Sequence, residues 1–317
     1  MQIDAITRKS SLPAILLFMM IAVAALVRAT HTPFGIEVAE WAFRERTISA
    51  VISAVVLGMT GILVGRLFMR TGLSKSFCTL PIPLFAILAW GVALPPHLLS
   101  STVATFLFVL ALLLLCRSIN IADERNSVFV SAVLLGAMPL LQPIYVILVA
   151  VLPLVILLFT LNARQIFIMA VGYPLPLFLA SYVVWYGGGE FEAVVCNIAE
   201  HLARPIDYST VGIPYGAIAL VAYGVAIMIW GVVYTVVRPN KMFLVARVRR
   251  TLYLFLLLAL VIGVSAFIPC CGTVMLPIMA VVGAVLLSFV LSLLPTTHST
   301  IAYWVFLALF VAHLFVE

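Results

Sequence analysis

Charge is what this chain most plainly lacks. Asp, Glu, Lys and Arg make up 9% of its 317 residues, against about 25% in soluble domains. Hydrophobic residues reach 65% and mean hydropathy is +1.29. That balance excludes an ordinary water-soluble domain and indicates a polytopic membrane protein. None of the 11 acidic residues falls inside a long apolar run. This argues against a proton relay, because pumps and many ion-coupled transporters place carboxylates or histidines at membrane depth. Only His313, near the end of the last run, approaches that description.

Cysteine is scarce too. Cys78, Cys116, Cys196, Cys270 and Cys271 show neither C-x-x-C spacing nor an even count, which indicates neither a disulfide framework nor a zinc site. They read as packing residues or free thiols. No metal-ligand set stands out either, because His31, His97 and His201 are scattered singly. A phosphate loop of the usual kind is also missing. Gly187-Gly188-Gly189 has no strand before it and no Lys after it, and it reads as a flexible joint. Nothing in these patterns names a cofactor.

What is present is a series of apolar runs separated by short polar loops. RPNKMFLVARVRR, from Arg238 to Arg250, carries five of the 17 basic residues between two such runs and reads as a cytoplasmic loop. Counting outward from it predicts an all-α bundle of about eleven spans, with a cytoplasmic N-terminus and an outer C-terminus. The first run, Leu12 to Val27, follows Arg8 and Lys9; Ala22-Val23-Ala24 is similar to a signal cleavage site, but the further spans favour a retained crossing. Thr47 to Gly65 leads to a basic loop with Arg66, Arg70 and Lys75. Cys78 to Leu94 and Leu98 to Cys116 form a hairpin about Pro95-Pro96-His97. The whole of 1–317 reads as one integral membrane domain.

This topology leaves only Arg28, Arg44, Arg46 and Arg204 of the 17 basic residues outside, as the positive-inside rule requires. The positive net charge of +6 is thereby accounted for without nucleic acid. Trp90, Tyr145, Trp185 and Tyr186 fall at outer ends, and Tyr234, Tyr253 and Trp304 near inner ends, as an interfacial aromatic belt.

Val128 to Leu161 reads as a hairpin interrupted only by Gln142-Pro143. Its first arm spans about 21 Å at 1.5 Å per residue, against a hydrocarbon core of about 30 Å. The tip therefore lies below the outer surface, where non-helical backbone is tolerated only beside protein or a water-filled cavity. An outward-facing recess is the expectation, with Pro95 to His97 on the same side. Pro81 to Pro83 and Pro174 to Pro176 can mark discontinuous helices of a transporter, though proline is common in membrane helices.

Two outer loops carry most of the polar chemistry. The first, residues 28–46, holds Glu37, Glu40 and Glu45 with His31 and Trp41. Glu37 or Glu40 can act as general base on an acceptor hydroxyl, and Arg44, Arg46 or Arg204 can hold a phosphate. The second loop, 187–212, has Phe191, Val194, Val195, Ile198 and Leu202 at helical spacing, with Asn197, Glu200, His201 and Arg204 on another face. It reads as an amphipathic helix on the outer leaflet, ended by Pro205, whose polar stripe is either a wet face or part of a site.

In this order of loops the chain resembles the membrane module of the polytopic GT-C glycosyltransferases. HLLSSTVATFLFVLALLLL at His97 to Leu115 is similar to that superfamily's fourth span, and SAVLLGAMPLLQPIYVILVAVLPLVILL at Ser131 to Leu158 to its fifth-to-sixth hairpin. The likeness covers 12–212 and leaves 213–317 as four further spans. It implies transfer from a polyprenyl-phosphate sugar in an outer recess, with the first-loop acid carried by Glu37 or Glu40 of GIEVAEW. His97, Gln142, Glu200 and His201, with the three arginines, would line the substrate site. Ser100-Ser101 stands where many members have another acid, and Gln142 where a basic residue is frequent. In length and hairpin pattern the chain also resembles bacterial multi-pass membrane proteins of the inner membrane, a likeness that implies no activity. Three expectations follow: a lipid-dependent glycosyltransferase, a non-catalytic subunit or scaffold of an envelope assembly with a membrane-protein partner, or a transporter or lipid flippase.

Overall fold

A backbone surrounded by hydrocarbon must satisfy its own hydrogen bonds, so long uncharged runs fold as helices. The structure, a computed structural model, describes residues 15, 18–20, 46–71, 79–91, 98–118, 125–151, 163–203, 215–237, 246–266 and 272–316. Helices are the sole regular structure among them: α1 (Arg46–Arg70), α2 (Pro81–Gly91), α3 (Leu98–Ser118), α4 (Arg125–Leu141), a 3-10 helix (Pro143–Ala150), α5 (Ala163–Gly172), α6 (Leu175–Tyr186), α7 (Ala193–Ala203), α8 (Tyr215–Val237), α9 (Ala246–Ala266), a 3-10 turn (Gly272–Met275), α10 (Leu276–Leu293) and α11 (Thr296–Val316). Among the described residues four stretches are long and apolar enough to cross a membrane: Val51–Arg70, Leu99–Cys116, Ala163–Tyr186 and Leu276–Leu293. The molecule is an all-helical membrane protein with several shorter apolar helices beside these.

The bundle is built around α10. A helix that is apolar on every side is stable only inside other helices, and α10 is buried on all sides from Ala280 to Leu291 apart from Gly283. It packs against α2 and α3 from the first half of the chain, and against α8, α9 and α11 from the second. One cluster of buried hydrophobic side chains accordingly runs from Phe18 to Phe310. By contrast, α1 turns Val51, Val55, Met59, Ile62 and Met69 outward and α6 turns Phe178, Leu179, Val183 and Trp185 outward. Large apolar side chains on an outer face are what lipid requires of a spanning helix.

Polar side chains join the helices at a few points. Ser131 Oγ of α4 donates to the Ala111 carbonyl of α3 at 3.1 Å, and Tyr223 Oη of α8 donates to the Ala302 carbonyl of α11 at 3.3 Å. Glycine makes the closest crossing. A Cβ at Gly136 would stand 1.9 Å from the Tyr173 carbonyl oxygen, so α4 meets the α5–α6 junction backbone to backbone. Tyr173-Pro174 breaks that helix pair, because proline lacks the N–H needed to continue α5.

Three sequence expectations need correction here. Arg66 and Arg70 do not form a loop but lie in the last turns of α1, where cations meet the negative end of the helix dipole and long stems reach toward water. Arg247, Arg249 and Arg250 likewise belong to the first turns of α9; their flanking loop, with Arg238 and Lys241, lies outside the described residues. Gly187 to Gly189 is not a flexible joint. Its three amides donate to the Val183, Trp185 and Val184 carbonyls at 3.0 Å each, capping the end of α6, and Gly188 holds a left-handed φ of 89°.

Candidate functional site

The hairpin tip is where the chain puts polar atoms into its own interior. Proline at 143 pushes the preceding residue out of helical geometry, and Gln142 is extended, with φ −149° and ψ 125°. The break is nevertheless satisfied along its backbone. Gln142 N–H donates to the Met138 carbonyl at 3.2 Å, and the Gln142 carbonyl accepts from Tyr145 N–H at 3.1 Å. The first arm, α4, has 17 residues, about 26 Å of helix, and the second arm begins as a tighter 3-10 helix rather than an α-helix. The predicted interruption is therefore present, and Gln142 is only 7% exposed.

Its side chain reaches a second element. Gln142 Nε2 donates to Ser100 Oγ of α3 at 3.1 Å. Tyr145, fully buried, donates its hydroxyl to the Val274 carbonyl at 3.2 Å, in the turn that leads into α10. Ser101 stands beside that phenol, close enough to act on it, yet its Oγ has no partner at hydrogen-bond geometry. The Gln142 Oε1 is also buried without a partner. Three helix beginnings thus meet in one knot: α3 at Ser100-Ser101, the 3-10 helix at Gln142, and the approach to α10 at Val274.

The amphipathic helix of the second loop covers the same hairpin. α7 packs on α6 and on the 3-10 helix, with Val194, Ile198 and Leu202 half-buried on its inner face. These recur at the expected helical spacing. Val195 does not join them and is 56% exposed, one position round the helix from Val194. Phe191 stays partly exposed while its ring meets Phe178 of α6 edge-on, with centroids 5.7 Å apart.

The candidate site residues separate into three groups. Gln142 lies in the buried knot. Glu200 and His201, with Asn197, are exposed on α7, away from the Val194, Ile198 and Leu202 side that packs toward the hairpin. Glu37, Glu40, Arg44, His97 and Arg204 lie outside the described residues, and Arg46 opens α1 with its side chain outside them as well. Tyr145 corrects the sequence reading: it is no belt residue but a buried link between the two halves of the chain. Trp185, Tyr253 and Trp304 are exposed, as belt residues should be. Among the described residues no group of three His, Cys, Asp or Glu side chains is placed to hold a metal.

Comparisons with protein families, with characterised proteins and with solved structures find no match.

Proposed function

We propose that this chain is a multi-pass inner-membrane protein with a cytoplasmic N-terminus, whose outward-facing recess receives the polar head of a lipid-linked sugar. The observation that carries the reading is the buried polar knot at the broken hairpin. Unpaired polar atoms inside a protein cost about 1–3 kcal/mol each, and each one kept in an otherwise apolar interior calls for an explanation beyond packing. Gln142, Ser101 and Tyr145 would form the floor of the recess and α7 one of its walls. Glu37 or Glu40 from the first loop would then act on an acceptor hydroxyl, and Arg44, Arg46 or Arg204 would hold phosphate. In this reading the chain is a GT-C-like glycosyltransferase of about eleven spans.

A second reading has its own support. Where the resembled superfamily often has an acid and a base, this chain has Ser100 and Gln142, and the two neutral side chains bond to each other. That favours a related architecture without the reaction, a non-catalytic subunit of an envelope assembly. Conversion of Glu37 and of Glu40 to Gln separates the two readings. Loss of sugar transfer in a folded variant supports the enzyme; full function in the cell with both substitutions supports the subunit.

A further inference from the structure

The outward face of α1 carries two cations among its apolar side chains. Between Val51 and Arg70 the exposed residues are four apolar ones ending at Ile62, and then Arg66, Met69 and Arg70. At about 100° per residue all of them fall in one stripe about 100° wide. The other side of the helix packs on α2 and α3. Arg66 stands near the middle of the stripe, with Ile62 a turn before it and Met69 a turn after it. It also lies inside the stretch Val51–Arg70 that is long and apolar enough to cross a membrane, about 6 Å of helix rise before Arg70. The charge is therefore placed on the lipid-facing stripe itself, not beyond its end.

A helical side chain leans toward the N-terminus of its own helix, which for Arg66 is away from the nearer end of the crossing. Its stem has to bend back for the guanidinium to reach water. A charge facing hydrocarbon is costly, and arginine cannot shed its proton to escape that cost. An anion at the same depth removes it. The chain supplies none nearby: α1 has no acidic residue, and the acids among the described residues are Glu190, Glu192 and Glu200, beside or on α7. Like charges four residues apart on a helix also repel, whereas one phosphate set between two guanidinium groups can accept hydrogen bonds from both. We propose that Arg66 and Arg70 clamp the headgroup phosphate of an anionic phospholipid, with its acyl chains laid along Ile62, Met59 and Val55. The source is a lipid rather than free phosphate, because the exposed apolar stripe runs directly into the two cations. This site is separate from the proposed recess and stands or falls independently of it.

The test adds dioleoyl phosphatidylglycerol and dioleoyl phosphatidylcholine to the full chain in mild detergent. The two lipids share a phosphodiester and differ in net charge, and native mass spectrometry reads which is retained. Phosphatidylglycerol should be retained over phosphatidylcholine, and Arg66→Gln and Arg70→Gln should each weaken its retention about tenfold, the equivalent of one charge-assisted contact. Both side chains are exposed and Gln is close to Arg in helix propensity, so the variants keep the fold. Arg164→Gln, at an exposed arginine in the first turn of α5, is the control and should leave retention unchanged. Equal retention of the two lipids, indifference to both clamp variants, or an equal loss with Arg164→Gln overturns the proposal. So does displacement of the phosphatidylglycerol by millimolar inorganic phosphate, which would make the pair a site for a free anion.

Discussion

Gln142 and Ser100 are 42 residues apart in sequence and joined by a buried hydrogen bond of 3.1 Å. The bond ties the break in a hairpin to the first turn of α3. Replacement of Ser100 by Ala removes the partner of Gln142 Nε2, so that neither polar atom of the carboxamide keeps a hydrogen bond among the described residues, whereas replacing both residues with apolar ones removes the conflict. A double-mutant cycle with Ser100→Ala and Gln142→Leu should give a coupling of about 0.6 kcal/mol, the average for side-chain hydrogen bonds within membranes, and no more than about 1.7. Denaturant unfolding in mixed micelles measures it, and strict additivity would show the bond to be energetically silent.

The glycines give a sharper contrast. A methyl group at Gly136 would meet the Tyr173 carbonyl oxygen at 1.9 Å, while at Gly263 it would meet nothing within 4 Å. Gly136→Ala should destabilise by about 1–3 kcal/mol, as overpacking does. Gly263→Ala should be neutral or stabilising by up to about 1 kcal/mol through helix propensity. Thermal unfolding of the two variants in one detergent is the comparison to make, and equal effects would contradict the α4 crossing.

Gly188 tests the turn between α6 and α7. With φ at 89° and no obstruction around its Cβ position, the penalty of Gly188→Ala is backbone strain alone, about 1–2 kcal/mol. The loss should appear as faster protease cleavage between α6 and α7. Unchanged cleavage would mean that the three capping hydrogen bonds do not hold this turn in place.

Those cases show what could be read from the sequence and what could not. The helical class, the break at Gln142-Pro143 and three of the five residues of the amphipathic stripe, Val194, Ile198 and Leu202 but not Phe191 or Val195, follow from local rules of proline geometry and helical period. The Gly187–Gly189 turn was misread because its order comes from carbonyls of the preceding helix, which composition does not reveal. Tyr145 was misread because an aromatic near a span end looks alike whether it faces the interface or the core. The Ser100–Gln142 bond depends on which helices meet, which an apolar sequence without charge partners leaves open. For α10, the apolar run from Thr273 to Leu294 signalled a span but not that this span lies at the centre of the bundle.

Orientation has a direct chemical test. Among the described residues Cys196 on α7 is an exposed thiol and Cys116 on α3 a buried one. In intact cells, a chain that keeps Cys196 alone should react with a membrane-impermeant maleimide, and one that keeps Cys116 alone should not. Labelling of Cys196 only after the membrane is opened would place α7 on the cytoplasmic side and invert the proposed topology.

The measurement that bears most directly on the central claim is native mass spectrometry of the protein as it leaves the membrane in mild detergent, before any lipid is added. A lipid-linked-sugar site should retain a polyprenyl-phosphate sugar at one copy per chain, diminished about tenfold by Arg204→Gln or Arg44→Gln, roughly the loss of one charge-assisted contact. A stoichiometric protein partner with no such lipid would contradict it, and would make the two loops a docking surface rather than the rim of a site.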